Sequence, residues 1–304
     1  MSSPLAVAAA LAVGVQRGDI NPAPRPATTR ILTLANQKGG VGKTTSTVNL
    51  AAALGLLGQQ VLVVDADPQG NASTALGVAH HAGVDGVYDI VMGEQTVADV
   101  VVTVASPGVF VVPATIDLAG AEVELVAHED RDQRLRRALT EYLPHHARSH
   151  GDLDYILIDC PPSLGLLTLN ALVAAREVLI PVQCEYYALE GLSQLMATIE
   201  RVRQARNPTL QVTTALLTMF DARTRLSSDV ADEVRRHLGA AVLSAVIPRS
   251  VRLSEAPSHE QTIFGYDPGS TGAQAYLDAA RELAVRGAPG AARVLANETE
   301  DAHD

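Results

Sequence analysis

Seven short apolar runs recur along the chain: Ile31–Ala35, Gln60–Val64, Val109–Val112, Tyr155–Ile158, Val178–Val182, Val212–Leu217 and Ala241–Ile247. Several are apolar at consecutive positions, not at every second one. A strand with one wet face alternates, so continuous runs of this length imply strands covered on both faces, as in a parallel sheet. Between the runs lie longer stretches with helical spacing: Thr44–Leu57, Asp132–Tyr142, Gly165–Ala175, Leu189–Arg206, Ser227–Leu238 and Thr271–Arg286. Strand and helix in alternation predict one doubly wound α/β domain, a mostly parallel sheet flanked by helices on both faces. Gly77–Ala105 is weakly patterned and is expected to hold short helices or loops. No internal repeat interrupts the alternation.

The 304 residues could form two domains, but the alternation runs through residues 30–286 without a break. Residues 1–29 are expected to be a flexible leader, because Asn21-Pro22-Ala23-Pro24-Arg25-Pro26 cannot sustain a helix. Residues 287–304, with Glu298, Glu300, Asp301 and Asp304, are expected to be a flexible acidic tail. Pro4–Val15 is apolar but too short to span a bilayer, and no Lys or Arg precedes it as in a signal peptide. Cys160 and Cys184 are too few for a disulfide framework and suggest a reducing, cytosolic setting. With 23 Lys and Arg against 34 Asp and Glu, the formal charge is −11. Contact with nucleic acid therefore requires a local basic cluster.

Lys38-Gly39-Gly40-Val41-Gly42-Lys43-Thr44-Thr45 follows the first strand-like run and opens the first helical one. That is the setting a phosphate-binding loop requires. Glycines let amide groups turn inward around phosphate oxygens, and the helix N-terminus adds the positive end of its dipole. Lys43 is placed to reach the β- and γ-phosphates, and the Thr44 hydroxyl can bind Mg²⁺. Two further segments end in carboxylates. Asp65-Ala66-Asp67-Pro68-Gln69-Gly70-Asn71 follows the second run, at the strand end where open α/β sheets bind ligands. One of its two carboxylates can support a metal shell while the other orients or deprotonates a water. Tyr155-Ile156-Leu157-Ile158-Asp159 is a buried strand ending in Asp, an arrangement that places Asp159 in the Mg²⁺ shell. Cys160 reads as a small buried residue, and the two cysteines lack the spacing of a metal site.

Lys38 directly before the loop glycines resembles the deviant Walker A motif of the ParA/MinD group of ATPases. Further stretches are similar to chromosomal ParA proteins of the Soj type: Pro113-Ala114-Thr115 with Leu118-Ala119-Gly120-Ala121-Glu122, Asp159-Cys160-Pro161-Pro162-Ser163-Leu164-Gly165, Pro181–Gly191 and Pro248–Ser258. The likeness covers roughly residues 30–286, outside a short insertion around His145–Gly151.

The resemblance implies a Mg²⁺-dependent ATPase whose cofactors are ATP and Mg²⁺. It implies an ATP-dependent homodimer in which Lys38 crosses to the partner's phosphates. Asp67 then activates water, Lys43 neutralises phosphate charge, and Thr44, Asp159 and Asp65 hold the metal. Residues around Pro248 and Ser250 line the adenine pocket, although many relatives carry Asn where this chain has Ser250. Arg223 and Arg252 match arginines that contact nonspecific double-stranded DNA. A ParB-type protein stimulates hydrolysis, and the protein is expected to be cytoplasmic and nucleoid-associated. The MinD kind of membrane attachment uses a basic amphipathic end, and the acidic end here implies no stable membrane association.

Overall fold

The computed structural model describes residues 3–185 and 188–289. In chain order the elements are α1 (Pro4–Arg17), β1 (Arg30–Leu34), α2 (Lys43–Leu56), β2 (Val61–Asp65), α3 (Asn71–Ala75), α4 (Val87–Met92), α5 (Val97–Val100) and β3 (Val102–Thr103). There follow β4 (Val109–Val112), α6 (Leu118–Glu124), α7 (Arg134–His150), β5 (Tyr155–Asp159), α8 (Leu166–Ala174), β6 (Glu177–Gln183) and α9 (Ala188–Ala205). The chain continues through β7 (Gln211–Phe220), α10 (Arg225–Leu238), β8 (Val242–Pro248), α11 (Val251–Glu255), α12 (Ile263–Tyr266) and α13 (Thr271–Gly287).

The strands form one eight-stranded sheet in the order β3-β4-β2-β5-β1-β6-β7-β8. Every pairing is parallel except β3 with β4. All seven expected strands are present, and β3 is an addition too short to leave a sequence signal. Successive side chains of a strand enter opposite layers. Leu32, Leu34, Val61, Val63, Tyr155 and Leu157 pack beneath α2 and α13, while Leu62, Val64, Ile156 and Ile158 pack beneath α4, α6, α7 and α8. Val178, Ile180 and Leu217 extend that second layer under α9 and α10. Apolar burial on both faces is why the runs show no alternation.

β1 lies between β5 and β6, so the chain leaves β1 toward one half of the sheet and later returns to build the other. This is the topological switch point, where a crevice opens at the carboxyl ends of the strands. Leu34 and Asp65 are both in register with Asp159, which brings the ends of β1, β2 and β5 side by side. Close helix packing supports this arrangement. A Cβ on Gly55 would stand 2.0 Å from the Pro107 carbonyl oxygen, so only glycine lets α2 lie this near the β4 entrance.

Two segments differ from their sequence expectation. Within residues 1–29, Pro4–Arg17 is a helix, started by Ser3, whose hydroxyl accepts from the Ala6 amide, and ended by Gly18 at φ 65°. Leu11 is buried in the α2–α13 core. The proline-rich stretch after it is held by hydrogen bonds in place of helix: Ala23 donates its amide to Leu57 O, and Arg25 donates to Gly58 O. Composition signals the missing helix there but not these through-space anchors. The second difference is α7, which continues past Pro144 to His150 and absorbs the apparent insertion. Proline removes one donor there, while Tyr142 and His146 remain buried against Phe110. Of the expected acidic tail, residues 290–304 lie outside the described residues.

Candidate nucleotide site

The loop between β1 and α2 turns on two glycines with positive φ, Gly40 at 73° and Gly42 at 87°. Gly42 is the N-cap of α2, in the left-handed region that only glycine enters without strain. Thr218 of β7 fixes the loop from outside by donating its hydroxyl to Val41 O at 2.8 Å. The loop borders a cavity of about 450 Å³ lined by Gly39, Gly40, Gly42, Lys43, Thr44, Thr45, Asp67, Gln69 and Pro162. A second recess of about 200 Å³ adjoins it, sharing Gly42, Thr45 and Met219, and is lined by Pro248, Ser250, Leu253, Ser254 and Tyr276. Met219 has φ 51°, an uncommon conformation for a residue with a side chain, and it sits where the two spaces meet. A polar cradle beside a partly apolar slot has the form required by a phosphate chain with a planar base.

Lys43 is buried, and its ammonium donates to Lys38 O at 3.3 Å. Burial lowers its pKa, and the charges of Asp159 and Asp67 oppose that shift. Asp159 is fully buried at the end of β5 and accepts hydroxyl bonds from Thr44 at 2.7 Å and Thr47 at 2.9 Å. Burial pushes its carboxyl up to about 6 in spite of those bonds. Thr44 and Asp159, both expected at the metal, are thus in direct contact. Their hard oxygens fit Mg²⁺, which keeps several waters and takes few protein ligands. Among the described residues there is no group of three or more His, Cys, Asp or Glu that could hold a metal.

The two carboxylates after β2 are placed differently. Asp67 lines the cavity, and its Oδ1 accepts the Gln69 amide at 3.0 Å, which fixes the turn. Asp65, expected at the metal, has its carboxylate engaged elsewhere. It accepts the Ser73 amide at 2.8 Å, the Ser73 hydroxyl at 2.7 Å and the Asp67 amide at 3.3 Å. Burial and the neighbouring Asp159 push it up to about 7. Its contacts clamp the Asp67 turn to α3. β2 ends at Asp65, and the turn that follows it carries Asp67 out of the strand's alternation, which is why two carboxylates only two positions apart part company.

Lys38 points along the surface to Glu185 Oε2 at 3.4 Å. Glu185 also accepts Arg249 Nη2 at 3.1 Å and Gln183 Nε2 at 2.6 Å. One carboxylate therefore gathers the loop lysine and the arginine between Pro248 and Ser250. Sequence reasoning missed Glu185, Thr47 and Met219. Only Thr47 carried a signal, lying three residues beyond Thr44 on one helix face. Arg223 forms a two-pronged pair with Asp221, at 2.9 and 2.8 Å. Arg252 lies 3.3 Å from Glu255 and 3.6 Å from Asp267. Both arginines are on the surface, on the segments that follow β7 and β8. Cys160 Sγ contacts Thr33 Oγ1 at 3.0 Å, and burial pushes the thiol up to about 12, so it is no nucleophile.

A family model described as an AAA domain matches residues 29–212. The chromosome partitioning protein ParA of Caulobacter vibrioides is 51% identical over 257 residues, 84% of this chain and 94% of that one. The sporulation initiation inhibitor protein Soj of Bacillus subtilis is 52% identical over 258 residues, 85% and 99% of the two chains. The chain belongs to the ParA/Soj family of chromosome-partitioning ATPases. Family kinship extends to solved structures. A Mycobacterium smegmatis protein named cobyrinic acid a,c-diamide synthase, with bound ADP and magnesium, superposes with TM-score 0.72 at 39% identity. It covers 85% of this chain and 95% of its own. The septum site-determining protein MinD of Pyrococcus horikoshii, complexed with Mg-ADP, superposes with TM-score 0.67 at 27% identity, covering 84% and 96%. These kin share the P-loop fold, and among the described residues here no helix is long and apolar enough to cross a membrane.

Proposed function

We propose that the protein is a Mg²⁺-dependent ATPase that dimerises around ATP, binds DNA without sequence preference as the dimer, and hydrolyses ATP faster when a ParB-type partner engages it. The cycle moves or positions DNA bearing that partner, in the cytoplasm and on the nucleoid. The observation that carries this reading is the glycine loop on α2 with Lys38 and Lys43 at its two ends and Thr44 hydrogen-bonded to Asp159.

In this reading the loop amides of Gly39–Thr45 bind the phosphates and Lys43 neutralises the β- and γ-oxygens. Thr44 and Asp159 would hold Mg²⁺, which would supply positive charge against the phosphates. Asp67 orients the attacking water, and Asp65 acts one step back by clamping the Asp67 turn. Pro248, Ser250 and Met219 bound the base recess. Lys38 leaves Glu185 and reaches the partner subunit's nucleotide, so two subunits clasp two nucleotides. Arg223 and Arg252 supply phosphate contacts to DNA, and dimerisation doubles that patch. Because affinity rises multiplicatively with phosphates neutralised, doubling acts as a switch in a chain of net charge −11.

The deciding experiment measures ATPase activity with DNA and the ParB-type protein, each alone and both together. A large rise only with both is expected. Equal rates in all three conditions would refute the partition cycle.

A further inference from the structure

The segment Ile116–Val126, which is α6 with the residues on either side of it, is apolar on two sides. Its inner side buries Leu118, Ala121 and Leu125 completely. Its outer side carries Ile116, Ala119, Val123 and Val126 at spacings of three or four, with Ile116 57%, Val123 76% and Val126 60% exposed. A surface helix ordinarily presents polar residues outward, so a second apolar stripe marks contact with something else.

Two features identify what covers it. The stripe is flanked by Asp117, Glu124 and Glu129, none of which forms an ion pair among the described residues. Asp117 accepts the Gly83 amide, and Glu124 accepts the Tyr88 hydroxyl. In a twofold dimer a patch at the axis would face its own copy and oppose these carboxylates to one another. The complementary surface is a segment carrying Lys or Arg around apolar anchors.

The stripe is also wired to the nucleotide site. Glu122, on the same helix, accepts the amides of Leu166 at 2.7 Å and Leu167 at 3.2 Å, capping α8 just beyond the Asp159–Gly165 loop. Immediately before α6, the Ala114 amide donates to the Ser73 hydroxyl, which itself donates to Asp65. A partner pressing on α6 thus bears on both carboxylate loops.

We propose that the outer stripe of α6 is the docking surface for a basic, apolar-anchored segment of the protein that stimulates hydrolysis. This rests on the reading above that such a ParB-type partner exists. The test uses the full chain, the ParB-type protein of the same genome, DNA and ATP. Two variants are compared with wild type: V123E/V126E, which breaks the stripe, and E124K/E129K, which reverses its rim. Basal ATPase and ATP-dependent dimerisation should be unchanged in both, while the partner concentration giving half-maximal stimulation rises at least tenfold. Undiminished stimulation would overturn the inference. So would loss of the dimer in V123E/V126E, which would give the stripe to a second copy of this chain. If wild type itself is not stimulated, the functional reading fails first and takes this inference with it.

Discussion

The hydroxyl of Thr44, 2.7 Å from Asp159, shows how little spare space the site leaves for error. Each carboxylate nearby has a separate job. Asp67 faces the cavity, so Asp67→Ala should leave ATP binding intact and stop turnover, read by nucleotide titration beside a phosphate-release assay. Hydrolysis at the normal rate in that variant would move the water-orienting role elsewhere. Glu185 holds Lys38 and Arg249 within one chain. Both pairs are partly exposed, so each contributes only about 0.2–1 kcal/mol. Glu185→Gln should lower the protein concentration needed for ATP-dependent dimerisation by roughly two- to five-fold in analytical ultracentrifugation, the fold-change that such an energy supports.

Among the elements, α7 carries an unusual load. His146 is buried between Phe110, Tyr142 and His150, accepts or donates one bond with the Tyr142 hydroxyl at 3.0 Å, and has no partner for Nε2. Burial, with His150 and His145 beside it, pushes its pKa down to about 4. The unfolded chain then binds the proton between about pH 6.5 and that value while the folded chain does not, so folding loses stability as pH falls through this window. His146→Leu removes the titration. Its melting temperature should fall less between pH 7 and pH 5 than that of wild type. An equal fall in both would show that other groups dominate.

At the scale of the whole molecule, negative charge must be reconciled with the proposed DNA affinity. A chain at −11 repels DNA in bulk, so the proposed DNA binding would depend on a few arginines presented twice by the proposed dimer. Lys38→Ala should bind ATP yet remain monomeric with a non-hydrolysable analogue in light scattering. A stable dimer of that variant would remove the crossed lysine from the account. Arg223→Ala and Arg252→Ala should each reduce the slope of log K against log salt by about 2, one phosphate per subunit, for wild-type-like dimers on scrambled DNA. An unchanged slope would place the DNA face elsewhere.

The sequence by itself determined what is contiguous. Continuous apolar runs set the strands, helical spacing set the major helices, and Gly39–Thr45 set the loop, because each depends on neighbouring residues sharing one backbone conformation. The carboxylates at the ends of β2 and β5 were legible for the same reason, as strand ends in an open parallel sheet are where ligands bind. Only the tertiary structure decided partners far apart in the chain. Asp65 turned to Ser73, Glu185 reached Lys38 147 residues away, Leu11 drew α1 onto the core, and α6 was left apolar toward solvent. Such pairings follow from strand order and layer packing, which set distances that no local spacing encodes.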